Sequence, residues 1–262
     1  MNKNHWTLAD LDGAAFFDRA SRGKWGWKAA GVVAATAVLA AGGYSAWRVR
    51  QAAELVRASE PFQALPASPA RSLLVVGDST AVGTGASDPT HSLAGLIAAA
   101  HPQLRIVNLA ADGARYADFA QQLRSGEGYF DLVLVLGGGN DVIRLTGQGK
   151  LRQDVLEVAQ LARKRGSQVI LMPPGNAGNA PFFWRPLAWW MTRRSQALHA
   201  AVREAAQATG AAYVNLYKPR SQDPFAQRPK ELHARDGLHP SDAGYALWLA
   251  ELRRQGGLEA RL

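Results

Sequence analysis

From residue 71 onward the sequence predicts an α/β fold, with a parallel sheet of about five strands covered by helices on both faces. Three observations predict it. Short apolar runs alternate with longer amphipathic segments. The runs are apolar throughout rather than at every second residue, as strands buried on both faces are. Several of them end in glycine-rich turns.

The elements follow in order. Leu73-Leu74-Val75-Val76 is a short buried strand ending at Gly77, and Ser92 to Ala100 reads as a helix. Leu104 to Asn108 is the second strand, followed by a helix from about Arg115 to Arg124. Leu132 to Leu136 is the third strand and ends in three glycines. Leu151, Val155, Leu156, Val158, Ala159 and Ala162 recur at helical spacing, so 151–165 is a helix. Gln168 to Met172 is the fourth strand, Ala188 to Ala208 a long helix, Ala212 to Leu216 the fifth strand and Ser241 to Arg254 the last helix. There is no internal repeat.

The N-terminal part is different. Residues 1–28 form a polar arm, and residues 29–47 carry no charge. As a helix that run would be ~28 Å long, close to the apolar thickness of a bilayer. Trp25, Trp27, Tyr44 and Trp47 flank or close it, where interfacial aromatics belong. The expectation is a transmembrane helix at 29–47. The alternative, a cleaved signal peptide, normally has a shorter leader and an apolar core of ~7–15 residues. Arg19, Arg22, Lys24 and Lys28 before the span slightly favour a cytoplasmic N-terminus. That places the domain that follows in the periplasm of a bacterial inner-membrane protein, although Arg48 and Arg50 oppose this orientation. Residues 48–70, with Pro61, Pro66 and Pro69, read as a linker containing a short helix, and 71–262 as the α/β domain.

In open parallel sheets, sites form in loops beyond the carboxyl ends of the strands. Gly77-Asp78-Ser79 follows the first strand, Gly113 lies beyond the second and Gly138-Gly139-Asn140-Asp141 follows the third. These loops therefore converge on one rim. Ser79 is the candidate nucleophile, and a serine hydroxyl needs a base to take its proton. His239 is the candidate base. Asp236, three residues earlier, is spaced to meet the imidazole Nδ1–H and fix its tautomer. The Asn140 amide and the N–H groups of Ser79 and Gly113 would form the oxyanion hole. Asp78 and Asp141 read as hydrogen-bond acceptors that hold their loops. Taken singly, a serine after a strand is usually a turn or cap residue; the combination points to acyl transfer.

These four blocks resemble the SGNH (GDSL-type) hydrolase superfamily of esterases, lipases, thioesterases and carbohydrate acetylesterases. Ser79 in Gly-Asp-Ser, Gly113, Asn140 in Gly-x-Asn-Asp and His239 in Asp-x-x-His match its motifs over about residues 71–255. The resemblance implies a flavodoxin-like three-layer α/β/α sandwich, a Ser-Asp-His triad and an oxyanion hole of three donors. Thr80 departs from the family pattern, which has leucine there.

The expected activity is hydrolysis of carboxylic esters through an acyl-enzyme, with a lipid, thioester or acetylated glycan as the acyl-ester substrate. Acyl transfer to an envelope glycan on the same site is the alternative, and a non-catalytic envelope scaffold a third reading. Pro173 to Met191 follows the fourth strand and is rich in aromatic residues. Phe182, Phe183 and Trp184 are read there as an acyl-binding wall or lid, against the alternative that they pack as ordinary core. The oligomeric state is left open.

Other classes find little support. The chain of 262 residues has a net charge of +9, but its basic residues are scattered and not interleaved with aromatics, so no nucleic-acid partner is expected. With no cysteine, disulfides, thiolate metal sites and a cysteine nucleophile are excluded. No His, Asp or Glu spacing suits zinc, the glycine-rich turns lack nucleotide-binding spacing, and no Gly-x-Ser-x-Gly elbow occurs. No cofactor and no metal are expected.

Overall fold

The structure, a computed structural model, describes residues 42–262. Arg48–Leu262 form one compact unit, and residues up to Trp47 belong to another. The transmembrane helix expected at 29–47 lies mostly outside the described residues, as does the polar arm at 1–28; residues 42–47 are helical. Among the described residues no helix is long and apolar enough to cross a membrane.

Five parallel strands form a single sheet in the order β2-β1-β3-β4-β5. They are β1 (Arg71–Gly77), β2 (Leu104–Asn108), β3 (Phe130–Leu136), β4 (Gly166–Met172) and β5 (Ala212–Tyr213). In β1 and β3 every residue of the last five is buried, which is why these runs carry apolar side chains on both faces. Leu73 pairs with Leu132 and Gly77 with Leu136, so β1 and β3 end level and deliver their loops side by side. The sheet reverses direction of growth between β1 and β3, the kind of switch point where open sheets place their sites.

One face of the sheet is covered by α4 (Tyr116–Ser125), α6 (Gln148–Arg165) and α7 (Leu187–Thr209), whose buried residues join Leu74, Val76, Val133 and Val135. The other face is covered by α3 (Leu93–Ala100) and α8 (Asp242–Gly256), packed on Leu73, Val75, Leu132 and Leu134. Adjacent strand residues thus point to opposite cores, and the result is a three-layer sandwich. Ser92 begins α3 by accepting a hydrogen bond from the Gly95 N–H, and Ser241 caps α8 in the same way. The fifth strand is shorter than the sequence suggests, although Val214 N–H still bonds Leu171 O.

The expected linker at 48–70 is part of the same compact unit as the sandwich. Residues 42–58 are helical (α1). Beyond α1, Gln63 bonds Asn108 in both directions, Nε2 to O at 2.7 Å and Oε1 from N at 2.9 Å. Ala64 forms an antiparallel bridge to Ile106. These bonds dock the segment along the edge strand β2, a partnership between residues distant in sequence.

Candidate active site

The first β-strand ends at Gly77, and the four-residue helix α2 (Ser79–Val82) follows at once. Asp78 caps α2: its Oδ1 accepts from Thr80 N–H at 2.9 Å and from the Thr80 hydroxyl at 2.7 Å. Its Oδ2 accepts from Gly138 N–H at 2.8 Å and Gly139 N–H at 3.1 Å. A single buried carboxylate therefore ties the β1 loop to the β3 loop. Thr80, where the motif usually has leucine, supplies two of its four donors, and the hydroxyl is the one a leucine would lack.

The β3 loop leads into α5 (Gly139–Ile143). Asp141 is fully buried and holds this loop, accepting from Tyr116 N–H at 3.0 Å and Thr146 Oγ1 at 2.8 Å. Burial pushes its carboxyl above the usual range, partly offset by these donors. Asn140 points one amide hydrogen at Ala114 O, 3.1 Å away, and so lies beside the loop that carries Gly113. Gly113 has φ +75°, a conformation that side-chain-bearing residues rarely adopt.

The C-terminal turn brings in the remaining groups. Ala234 N–H bonds His239 O at 2.8 Å, and His233 bridges Pro240. Gly237, at φ +67°, lets the chain reverse between Asp236 and His239. A Cβ there would come within 3.1 Å of the Pro181 Cβ and 3.0 Å of Arg48 Nη1.

This turn places His239 Nε2 2.9 Å from Ser79 Oγ and His239 Nδ1 2.6 Å from Asp236 Oδ2. All three residues are buried. Asp236 Oδ1 also accepts from the N–H groups of Leu238 and His239. Burial pushes the Asp236 carboxyl up, but its hydrogen bond and charge interaction with His239 and these two N–H donors outweigh it and hold it below the usual range. An ionised Asp236 fixes the Nδ1–H tautomer, so Nε2 is left to accept the Ser79 proton.

Ser79, Gly113, Asn140 and His239 line one cleft of about 600 Å³. The expected residues Ser79, Asp236, His239, Gly113 and Asn140 are thus brought together. Phe182, Phe183 and Trp184 do not line the cleft, and the acyl wall expected of them is corrected accordingly. Phe182 N–H bonds Gly237 O at 3.0 Å, Phe183 packs against the core beneath α7, and Trp184 is exposed. The loop after β4 still reaches the rim, through Pro174, Gly175, Asn176, Ala177 and Ala180, but the Phe182 bond holds its aromatic stretch on the Asp236–His239 turn and out of the cleft.

The cleft has residues that no motif announces. Asp112 lines it next to Gly113, and its Oδ1 accepts from Thr84 Oγ1 at 2.7 Å. Burial raises the Asp112 carboxyl above its usual range. Val49, Ala52, Ala53 and Val56 of α1 form part of the wall. Among the described residues no group of three or more His, Asp or Glu side chains is arranged to hold a metal ion.

The sequence profile of the GDSL-like Lipase/Acylhydrolase family matches residues 75–247. The chain belongs to this family. It is a serine hydrolase of the SGNH type, as the four motif blocks implied. No curated protein matches the chain at the sequence level. Among solved structures, TesA is similar at a TM-score of 0.57 and 24% identity, over 73% of this chain and 100% of that one. A variant of Axe2, an acetyl xylan esterase from Geobacillus stearothermophilus, is similar at a TM-score of 0.53 and 21% identity, over 72% of this chain and 95% of that one. The lipase/acylhydrolase from Enterococcus faecalis is similar at 0.53 and 24%, over 70% and 94%. At these identities the likeness shows a shared fold. The profile match begins at residue 75, so α1 lies outside it.

Proposed function

We infer that this SGNH hydrolase cleaves carboxylic esters through an acyl-enzyme on Ser79. The observation that carries the reading is the continuous hydrogen-bonded chain from Asp236 through His239 to Ser79, opening into a cleft of substrate size. Ser79 Oγ forms a bond to the acyl carbon while His239 Nε2 takes the hydroxyl proton. The carbonyl π pair moves onto oxygen, and the N–H groups of Ser79 and Gly113 receive that charge together with the second amide hydrogen of Asn140. Collapse breaks the bond to the leaving alkoxide, which takes the proton from His239. Water then repeats the sequence, giving its proton to His239 as it attacks the acyl carbon. Release of the acid restores Ser79. Asp236 stays ionised throughout and stabilises the imidazolium.

The family and its structural neighbours, among them an acetyl xylan esterase and a lipase/acylhydrolase, support an ester or thioester of a lipid or an acetylated glycan. The uncharged run at 29–47 supports a membrane tether, with the catalytic domain on the periplasmic side of a bacterial inner membrane. Reporter fusions on either side of the run test the tether. An alkaline phosphatase fused after residue 58 should be active, and an active cytoplasmic reporter at that position would reverse the topology.

The chemistry is tested by stopped-flow hydrolysis of p-nitrophenyl esters. A stoichiometric burst of nitrophenolate is expected from the wild-type protein and none from Ser79→Ala. Full turnover by the Ser79→Ala variant would remove the mechanism.

A further inference from the structure

We propose that α1 is the wall along which the acyl chain of the substrate lies, so that the enzyme selects esters of extended hydrophobic acids over acetyl esters. The proposal rests on the esterase reading of Ser79 and names the substrate class of that site.

The sequence of α1 carries apolar residues at 49, 52, 53 and 56, the i, i+3, i+4, i+7 spacing of a single helix face. Arg50 and Glu54 lie on the opposite face and pair with each other at 3.3 Å. A helical stripe of this kind is normally buried in a core. Here none of its four residues joins either core cluster of the sandwich. Ala52, Ala53 and Val56 are half-buried and Val49 is exposed. What the stripe borders instead is the cleft that holds Ser79 and His239. Ile143, Ala180 and Leu238 line the same cleft and extend its apolar surface.

The wall is built in rather than loosely tethered. Arg48 Nη1 donates to Arg235 O at 2.7 Å, and Arg235 in turn pairs with Glu54 at 3.4 Å. The downstream bonds of Gln63 to Asn108 fix the far end of the segment. Arg235 immediately precedes Asp236, so α1 is anchored to the turn that carries the base.

The volume agrees with this assignment. At about 600 Å³ the cleft is of the size that accepts a drug-sized ligand, and an acetyl group would occupy only a small part of it. Each methylene taken from water onto an apolar wall improves binding by about fourfold. An acyl chain bound beside the reacting carbonyl is the occupant that uses both the stripe and its position next to Ser79.

The test is the ratio of kcat/KM for p-nitrophenyl octanoate to that for p-nitrophenyl acetate, measured with the full chain in mixed micelles. The wild-type ratio should exceed one. Ala52→Trp, which fills the groove, should lower the ratio by about tenfold. Val56→Ser removes apolar surface without adding bulk and should lower it by a smaller factor. A ratio that favours acetate in the wild type, or that neither substitution moves, overturns the proposal while leaving the esterase intact. Failure of the wild-type protein to turn over any ester would remove the esterase reading and the wall together. A ratio is insensitive to the fraction of folded enzyme, so partial misfolding of the Trp variant does not imitate the expected result.

Discussion

The two sides of the cleft are held in different ways. On the rim formed by the β1 and β3 loops and the C-terminal turn, polar groups are fixed by short directional bonds. Asp78 accepts four donors, Asp236 accepts three, and His239 is engaged at both nitrogens. On the α1 side, Val49, Ala52, Ala53 and Val56 offer apolar surface, and the polar contacts that anchor the helix lie outside the stripe. Proton transfer demands heavy atoms within hydrogen-bond reach, so the rim admits few residue types at each position. An apolar wall demands only size and hydrophobicity, so many sequences would serve. The chemistry of the enzyme is therefore written in motifs, and its selectivity is not.

Substitutions on the rim should be severe and those on the wall graded. The largest effect is expected from Ser79→Ala, which should lower kcat by about 10⁴–10⁶-fold in steady-state ester hydrolysis. A second substitution, His239→Ala, should add almost nothing to it, because the two act as a unit; additive losses would break the picture of one proton-passing chain.

Next comes Asp236→Asn, expected to cost about 10⁴-fold in kcat with KM little changed, since the amide would favour the wrong imidazole tautomer. A loss of less than tenfold would show that the ionised carboxylate does not set the state of His239. Asn140→Ala should cost about 10²–10³-fold in kcat. If KM rose instead while kcat held, Asn140 would belong with substrate binding rather than with the oxyanion.

The smallest effect concerns stability. Burial lowers His199 and His233 from 6.5 to about 4. Between these values the unfolded chain binds protons that the folded chain excludes. Their contribution to stability is therefore complete above about pH 6.5 and is lost as pH falls toward 4, by up to about 3 kcal/mol each. Asp236 acts in the same direction over a lower window: its folded carboxyl lies below the usual range, so its contribution persists until the pH falls below about 4. Urea unfolding between pH 7 and pH 4 should show the loss, and His199→Asn should flatten it. A wild-type profile flat across that window would contradict the burial account of both histidines.

Much of this molecule is legible in the sequence, for reasons tied to particular residues. Apolar runs such as Leu73–Val76 and Leu132–Leu136 mark the central strands because both of their faces are buried. Ser79, Asn140 and His239 stand out because each is polar, follows a glycine or proline-rich turn and sits at a strand end or near the C-terminal helix. The helices were legible to within a few residues wherever the 3.6-residue period was strong, as in α6 and α7.

The errors arise where partners are far apart in the chain. Phe182 and Phe183 follow the fourth strand, whose loop does reach the cleft, yet the Phe182 bond to Gly237 O keeps these two rings out of it. Residues 48–70 looked like a linker because of their prolines, yet Arg48, Glu54, Gln63 and Ala64 find partners at 235, 108 and 106. Local composition reports a proline-rich boundary well; it does not report what such a segment docks against.

The central claim is that one hydroxyl in this fold is activated by its neighbours for attack on an acyl group. Fluorophosphonate labelling followed by peptide mapping tests it most directly. The account predicts a single adduct on Ser79, formed far more slowly in His239→Ala and not at all in Ser79→Ala. An adduct on another residue, or labelling of folded Ser79→Ala at the wild-type rate, would contradict it.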